Sequence, residues 1–217
     1  MDSLLLSSDG FEVGRYAVPA FHLRLGECVC LHLREEITSS EVEALIGVLT
    51  GKKSLGAMRL FATVHWAAPL RNRRHGPLGF FRSRRVADWL LRVARASRTQ
   101  AQAVLQRLHP QDRECPVDRL AGTPKALLRL EAAWLTGARV VVFTTAGLDP
   151  LGIEAVYRAV SSHFLHGSAI HLSFPYSQDG RLRRECLATA TCLELREIKV
   201  SVDTRSHGAR NRRCSNG

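Results

Sequence analysis

The stretch that decides the fold is residues 120–150, LAGTPKALLRLEAAWLTGARVVVFTTAGLDP. A short glycine-containing phrase opens it, and Pro124 falls in the first turn of a predicted helix that continues to about Leu135. The turn at 136–138 leads into residues 139–143, a run of β-branched residues typical of a buried parallel strand. A helix that returns the chain to a short central strand predicts an α/β layered domain.

The segments on either side of this stretch alternate between strand and helix patterns. The predicted strands lie at 11–25 as a hairpin or two short strands, 28–33, 58–64, 169–174 and, as a final pair, 188–200. The predicted helices lie at 41–49, with Ser39 and Ser40 as N-cap residues, and at 84–98, 101–108 and 152–164.

The composition is that of a globular protein. Of 217 residues, 45% are hydrophobic and 24% are charged, which favours one domain with a sizeable core. No apolar run approaches the ~20 residues that cross a bilayer. Residues 1–6, MDSLLL, are too short for a secretory signal and lack its basic flank. We therefore expect a cytosolic protein, free or docked on a membrane partner.

The charge is strongly basic, with a formal net charge of +11. Residues 71–98 contain nine arginines and one acid, Asp88. This balance favours anionic partners such as nucleic acid, acidic lipid or nucleotide phosphates. A solvated arginine-rich surface is the alternative interpretation. Phe80, Phe81 and Trp89 lie within the basic stretch and could stack on bases, although Trp89 also fits the apolar side of the predicted helix.

Metal and hydrolase motifs are missing from the sequence. Six cysteines are present, but no Cys-x-x-Cys pair occurs, and Cys28 and Cys30 alternate onto one face of a strand as buried thiols would. His163 and His166 are at helical spacing, which is more typical of a helix end than of a metal site. No Gly-x-Ser-x-Gly phrase occurs. We expect no metal site.

The order of elements and several phrases resemble the ATP-binding subunits of ABC transporters over about residues 11–195. The phrases are the signature-like LAG at 120–122, AWLTGARVVVF at 133–143 and AGLDP at 146–150. The resemblance implies an ABC-ATPase-like P-loop α/β fold with a small antiparallel β part and a reduced helical subdomain. It implies one domain over residues 1–200 with a helical insert at about 67–119. The basic segment 201–217 is predicted to be a disordered tail.

The phosphate loop of that family falls on residues 33–40, LREEITSS. A phosphate loop needs glycines for its backbone N–H groups, a lysine for the phosphates and a Ser or Thr for Mg²⁺. This stretch has neither glycine nor lysine, and Glu35 and Glu36 would repel a triphosphate. The hydroxyls of Thr38, Ser39 and Ser40, together with Gly122 of the signature-like phrase, form at most a vestigial nucleotide site. Plain helix capping explains the hydroxyls equally.

The other catalytic positions of the family are also altered. The strand that should end in the Walker B acids runs from Phe143 into Thr144 and Thr145. The family glutamine would fall near Trp66 and the switch histidine near Pro175, with His171 as a nearby substitute. Because these groups are missing, the resemblance implies no catalytic residue and no ATP hydrolysis. No cofactor is expected, and ATP with Mg²⁺ would bind only if the altered site still works.

The function that this resemblance implies is structural or regulatory. The chain would be a degenerate ATP-binding-type subunit of a membrane transport complex, in the cytoplasm and peripheral at the inner face of the membrane. Its partners would be a transmembrane permease or an active ATP-binding subunit, with contact to anionic lipid. The candidates for permease docking are Trp66, Pro69, Phe80 and Phe81, and those for subunit contact are Gly147, Asp149 and Pro150.

Two alternatives stay open at the level of sequence. One is a basic nucleic-acid-binding protein on the same fold, for which binding would weaken steeply with salt. The other is a decayed gene product without a selected activity, for which simultaneous motif loss is the motivation and loss of cooperative unfolding the test.

Overall fold

A computed structural model describes residues 3–68, 85–92, 94–175, 187 and 190–198. The docking candidates Pro69, Phe80 and Phe81 and the predicted tail at 201–217 lie outside the described residues. The described strands and helices, in chain order, are β1 (Leu4–Ser8), β2 (Phe11–Val13), β3 (Tyr16–Val18), β4 (Phe21–Arg24), β5 (Cys28–His32), α1 (Ser39–Leu49), β6 (Met58–Leu60), β7 (Val64–Trp66), α2 (Val86–Arg92), α3 (Arg98–Arg107), α4 (Pro110–Arg113), α5 (Gly122–Leu135), β8 (Val140–Phe143), α6 (Pro150–Ser161), β9 (Ser168–Ser173), β10 (Ala190–Glu194) and β11 (Arg196–Glu197).

A parallel five-stranded sheet forms the centre of the domain. Its strand order is β10-β5-β9-β8-β7, and every neighbouring pair is parallel. Strands β8 and β9 are buried along their whole length, β8 with the continuous apolar sequence VVVF and β9 with the sequence SAIHLS. Helix α1 packs on one face of the sheet, and α5 and α6 pack on the other. Helices on both faces are what buried parallel strands require.

Two three-stranded antiparallel sheets, β4-β1-β6 and β11-β3-β2, form the smaller β part. They share one hydrophobic core with α1 and with one face of the parallel sheet, so that Leu6, Tyr16 and Leu23 are buried together with Leu31 and Leu45. The predicted α/β class with a small antiparallel part is therefore confirmed.

The prediction of a single strand at 58–64 is wrong in one respect, because the region contains two strands. Strand β6 pairs with β1 in an antiparallel sheet, whereas β7 pairs with β8 in the parallel sheet. Between them, the N–H of Phe61 donates to Leu5 and the carbonyl of Thr63 accepts from Arg139 and Val140. The chain thus crosses from one sheet to the other within three residues, which a continuous apolar pattern does not reveal.

The helix predicted at 84–98 is also shorter in the structure. Helix α2 ends at Arg92, and Arg95 has a φ of 53°, a left-handed conformation that a right-handed helix cannot continue through. Ser97 then begins α3 with a capping box in which its hydroxyl accepts from the N–H of Gln100. The amphipathic pattern of 84–98 therefore belongs to α2, whereas α3 corresponds to the separate helix predicted at 101–108.

These two helices and a 3₁₀ turn at Val117–Arg119 pack around a third hydrophobic core, and α4 lies against α2. Trp89 and Leu90 from α2 and Val104 from α3 contact this core, and Leu128 supplies it from α5. Since α5 also packs on the parallel sheet through Leu130, this single helix joins the helical part to the α/β part.

Candidate functional site

The topology of the parallel sheet points to one crevice. After β5 the chain continues through α1 to β7, at one edge of the sheet. After β9 it continues to β10, at the opposite edge. Strands β5 and β9 are neighbours, so the direction of winding reverses between them. In open α/β sheets, ligands bind outside the carboxyl ends of the strands at such a reversal. The loop at 33–38 lies there, fixed by a 2.8 Å hydrogen bond from Leu33 N–H to the Ser173 carbonyl.

This loop starts helix α1 differently from the prediction. The N-cap residue is Thr38, and Ser39 and Ser40, predicted as caps, are the first two helical residues. Thr38 and Glu41 form a capping box, a signal that the Thr-x-x-Glu spacing carried in the sequence. Against the eight-residue phosphate-loop pattern, Ser39 stands at the lysine position and Ser40 at the Ser/Thr position.

The carboxylate of Glu41 lies beside the first turn of α1 and accepts three hydrogen bonds. Its Oε2 accepts from the backbone N–H of Thr38 and from the Thr38 hydroxyl, both at 2.8 Å. Its Oε1 accepts from the backbone N–H of Arg15 at 3.3 Å. Gly14 leaves the space for this arrangement, since a Cβ there would collide with the Glu41 carboxylate and the residue has a φ of +57°. Sequence reasoning missed Glu41, Gly14 and Arg15 as parts of this site.

The electrostatics follow from these contacts. Hydrogen bonds from the Thr38 backbone and side chain, and then Arg15, hold the pKa of the Glu41 carboxyl below its ordinary value. The Arg15 guanidinium also donates at 2.6 Å to the carbonyl of Glu36, which ties the β2–β3 turn to the loop. A protein carboxylate therefore provides negative charge beside the positive end of α1, where an anionic ligand would otherwise be favoured.

The lowered pKa of Glu41 predicts a pH dependence of stability. Its contribution is complete above the ordinary value of 4.5 and is lost as the pH falls through the lower value in the folded protein. We expect Glu41→Gln to be less stable than the wild type at pH 7, with the difference shrinking toward zero in acid. Urea unfolding at a series of pH values measures this. Glu43→Gln, an exposed carboxylate on the same helix, is the matched control, and an equal pH profile for both variants would contradict the assignment.

The remaining nucleotide-site candidate, Gly122, contacts a different part of the molecule. It is the first residue of α5, and a Cβ there would lie 3.3 Å from Cδ2 of Leu148 in the loop before α6. Thr38 instead contacts Glu41 and Ser40 at the start of α1. The four residues of the predicted vestigial site thus divide between two helix starts that pack on different elements.

The loop at 146–150 supplies the cap of α6. Asp149 is the N-cap residue, and its Oδ1 accepts from Gly152 N–H at 2.7 Å. Gly147 has a φ of +80°, which favours glycine at this turn, and Pro150 is the first residue of the helix. Each of these three residues is exposed, and the next, Leu151, is 78% exposed. Asp149 therefore has a clear local role, and its subunit contact stays a prediction.

His171, the substitute considered for the switch histidine, is fully buried on β9. Its Nε2 lies 3.1 Å from the Thr145 hydroxyl, and its Nδ1 lies 3.5 Å from both Cys30 Sγ and the Tyr157 hydroxyl. The ring also stacks on Phe143 with centroids 4.8 Å apart. This polar cluster holds β5, β8, β9 and α6 together, so His171 is packed inside the domain and does not reach the crevice surface. Pro175 is exposed just beyond β9.

Trp66, the docking candidate that the structure describes, is half-buried at the end of β7. It lines a small cavity of about 30 Å³ between the carboxyl ends of β7 and β8 and helices α5 and α6. Thr144, the first residue after β8, lines the same cavity.

Two further features are absent from the described ranges. No group of three or more His, Cys, Asp or Glu side chains there is placed to hold a metal ion. Likewise, none of the helices in this part of the chain has the length and apolar character needed to cross a membrane.

Comparison with solved structures identifies the fold. A metal-chelate type ABC transporter in an inward-facing conformation matches with a TM-score of 0.66 and 12% identity, covering 90% of this chain and 84% of that one. An ATP-binding cassette of an ABC transporter in its ADP conformation matches with a TM-score of 0.61 and 11% identity, covering 90% of each chain. cbiO1 from Clostridium perfringens, part of the ABC transporter complex cbiONQ, gives 0.60 and 11%, with 90% and 88% covered.

Comparisons at the level of sequence find no match, either to a protein-family model or to a curated protein. At 11–12% identity the structural likeness establishes the fold alone. The fold nonetheless matches over nine-tenths of this chain. This chain has the fold of the ATP-binding cassettes of ABC transporters.

Proposed function

We propose that this chain is a degenerate ATP-binding-type subunit that acts in a membrane transport complex without binding or hydrolysing ATP. The observation that carries the proposal is the Glu41 carboxylate beside the start of α1, where this fold places a phosphate loop. A nucleotide phosphate brought to this helix end would meet a carboxylate already hydrogen-bonded in place, with Glu35 and Glu36 in the same loop.

The residues at the crevice do not fit Mg²⁺-ATP. The loop at 33–38 contains no glycine, so its backbone lacks the conformational freedom to converge N–H groups on phosphate oxygens. Ser39 supplies no positive charge at the lysine position. Thr144 and Thr145 follow β8 in place of the acids that hold Mg²⁺ and polarise water, and Thr145 is buried against His171. We therefore derive no hydrolytic step.

Calorimetry with ATP tests the proposal directly. We expect no saturable heat with or without Mg²⁺, which means a dissociation constant weaker than about 1 mM, or about −4 kcal/mol of binding free energy. The positive control under the same conditions is ADP with the neighbouring cassette solved in its ADP conformation. Glu41→Gln shows whether the carboxylate alone excludes the nucleotide. Micromolar, Mg²⁺-dependent binding by the wild type would overturn the proposal.

The role that remains is docking onto other proteins. The neighbours include a transporter and a component of the cbiONQ transporter complex, which supports a permease or an active ATP-binding subunit as the partner of this chain. We propose the half-buried Trp66 for the permease contact and the exposed Gly147, Asp149 and Pro150 for the subunit contact. Such docking would place the chain at the cytoplasmic face of a membrane.

The nucleic-acid alternative finds less support in the described part of the chain. Several of its arginines form ion pairs with carboxylates, among them Arg85 with Glu114 and Arg107 with Glu131. Arginines paired in this way are less available to phosphates. We therefore give priority to the protein-docking role.

A further inference from the structure

The wall of the small cavity beside Trp66 includes an arginine side chain that the proposed transport role does not use. Its volume of about 30 Å³ is room for roughly two water molecules or the two oxygens of one carboxylate. Its walls are largely apolar, and the lining residues are Trp66, Ala67, Ala126, Arg129, Leu130, Phe143, Thr144 and Val156. Arg129 on α5 is the charged residue of this lining.

Arg129 is held in an environment that disfavours an uncompensated charge. Its Nε is fully buried and has no hydrogen-bond partner in the part of the chain that the structure describes. Burial lowers the pKa of the guanidinium, yet an arginine remains protonated near neutral pH. A buried donor without an acceptor is unfavourable, even though the Arg129 side chain as a whole is only half-buried. The site therefore favours an anionic acceptor.

None of the described residues that line the cavity is an Asp or Glu that could supply this acceptor. Thr144 is a neutral residue directly after β8. Its Oγ1 accepts from the N–H of Ala146 at 3.2 Å, so its hydroxyl hydrogen is available as a second donor.

We propose that this cavity binds a carboxylate group, with Arg129 and the Thr144 hydroxyl as its donors. The Nε–H and the adjacent Nη–H of a guanidinium form a planar fork that matches the two oxygens of a carboxylate. The small room beside Arg129 suits the two oxygens of a carboxylate better than the four oxygens of a tetrahedral phosphate. The carboxylate could belong to a small free acid or to an Asp or Glu side chain of a docked protein, and the chemistry at Arg129 is the same for both.

The Nε–H signal of Arg129 in a ¹H–¹⁵N spectrum provides a local readout. The probe is sodium acetate, titrated at constant ionic strength against sodium chloride. We expect a saturable shift of this signal at millimolar acetate, and no saturable shift with inorganic phosphate. Arg129→Met, which keeps the aliphatic stem, identifies the signal by its loss. Absence of an acetate response, or an equal response to phosphate, would overturn the proposal.

Two substitutions at one position sharpen the test. Thr144→Val preserves the shape but removes the donor, and we expect acetate affinity to fall about three- to tenfold. Thr144→Asp supplies an internal carboxylate, and we expect it to shift the Arg129 Nε–H signal without ligand and to abolish the acetate response. A Thr144→Asp variant that still binds acetate like the wild type would also overturn the proposal.

A short capped peptide containing one aspartate distinguishes the two sources of the carboxylate. If the peptide shifts the Arg129 signal at the same concentrations at which acetate does, the site is assigned to side chains of docked proteins. A response to acetate alone assigns it to small free acids. Neither result depends on ATP binding, so failure of this site and failure of the proposed function are separable.

Discussion

Replacing His171 with alanine is expected to lower the free energy of unfolding by about 3 kcal/mol. The side chain is fully buried on the central strand β9, between the Thr145 hydroxyl, the Cys30 thiol and the Phe143 ring. Its removal leaves a cavity and deprives the Thr145 hydroxyl of one partner in a region closed to water. Urea unfolding followed by circular dichroism measures the change.

The matched control is His166→Ala, at an exposed position in the turn before β9. We expect it to alter the free energy of unfolding by less than about 0.5 kcal/mol. This comparison separates the two interpretations of His171. A switch histidine at the nucleotide crevice would affect ligand response with little effect on stability, and that outcome would contradict the packing role derived from the structure.

The elements that sequence patterns predicted well are those with one dominant signal. Helix α5 and strand β8 follow directly from Pro124, the turn at 136–138 and four consecutive apolar residues. Strand β1 was missed because Leu4–Ser8 reads as a short apolar segment, and it becomes a strand only by pairing with β4 and β6. Its pairing partners lie 13 or more residues away, and no local pattern encodes them.

As with the fold, only part of the candidate site could be predicted from the sequence. The Thr-x-x-Glu spacing in the sequence predicts a capping box at Thr38, whereas the prediction of Ser39 and Ser40 as caps is wrong. The contact of Arg15 with Glu41 was not readable, because it requires the β2–β3 turn to lean on α1. The sequence also did not indicate a role for Arg129. That its Nε is buried without a hydrogen-bond acceptor depends on which side chains surround it in three dimensions.

Replacing Leu128 with alanine is expected to destabilise the protein by about 3 kcal/mol. Leu128 is fully buried on α5 and fills the core that α2, α3 and the 3₁₀ turn build against this helix. A truncated side chain leaves a cavity at the junction of the helical part and the α/β part. Leu91→Ala is the control, because Leu91 on α2 is 39% exposed.

Hydrogen exchange then decides how the two parts are coupled. If residues 1–200 fold as one domain, Leu128→Ala lowers the protection of amides in β5 and β9 by the same free energy that urea unfolding reports. If α2 and α3 open by themselves, their amides lose protection while those of β5 and β9 do not, and the single-domain prediction is wrong. We expect the first result, because α5 carries Leu128 into one core and Leu130 into the other within a single turn, so loosening one core displaces the helix from both.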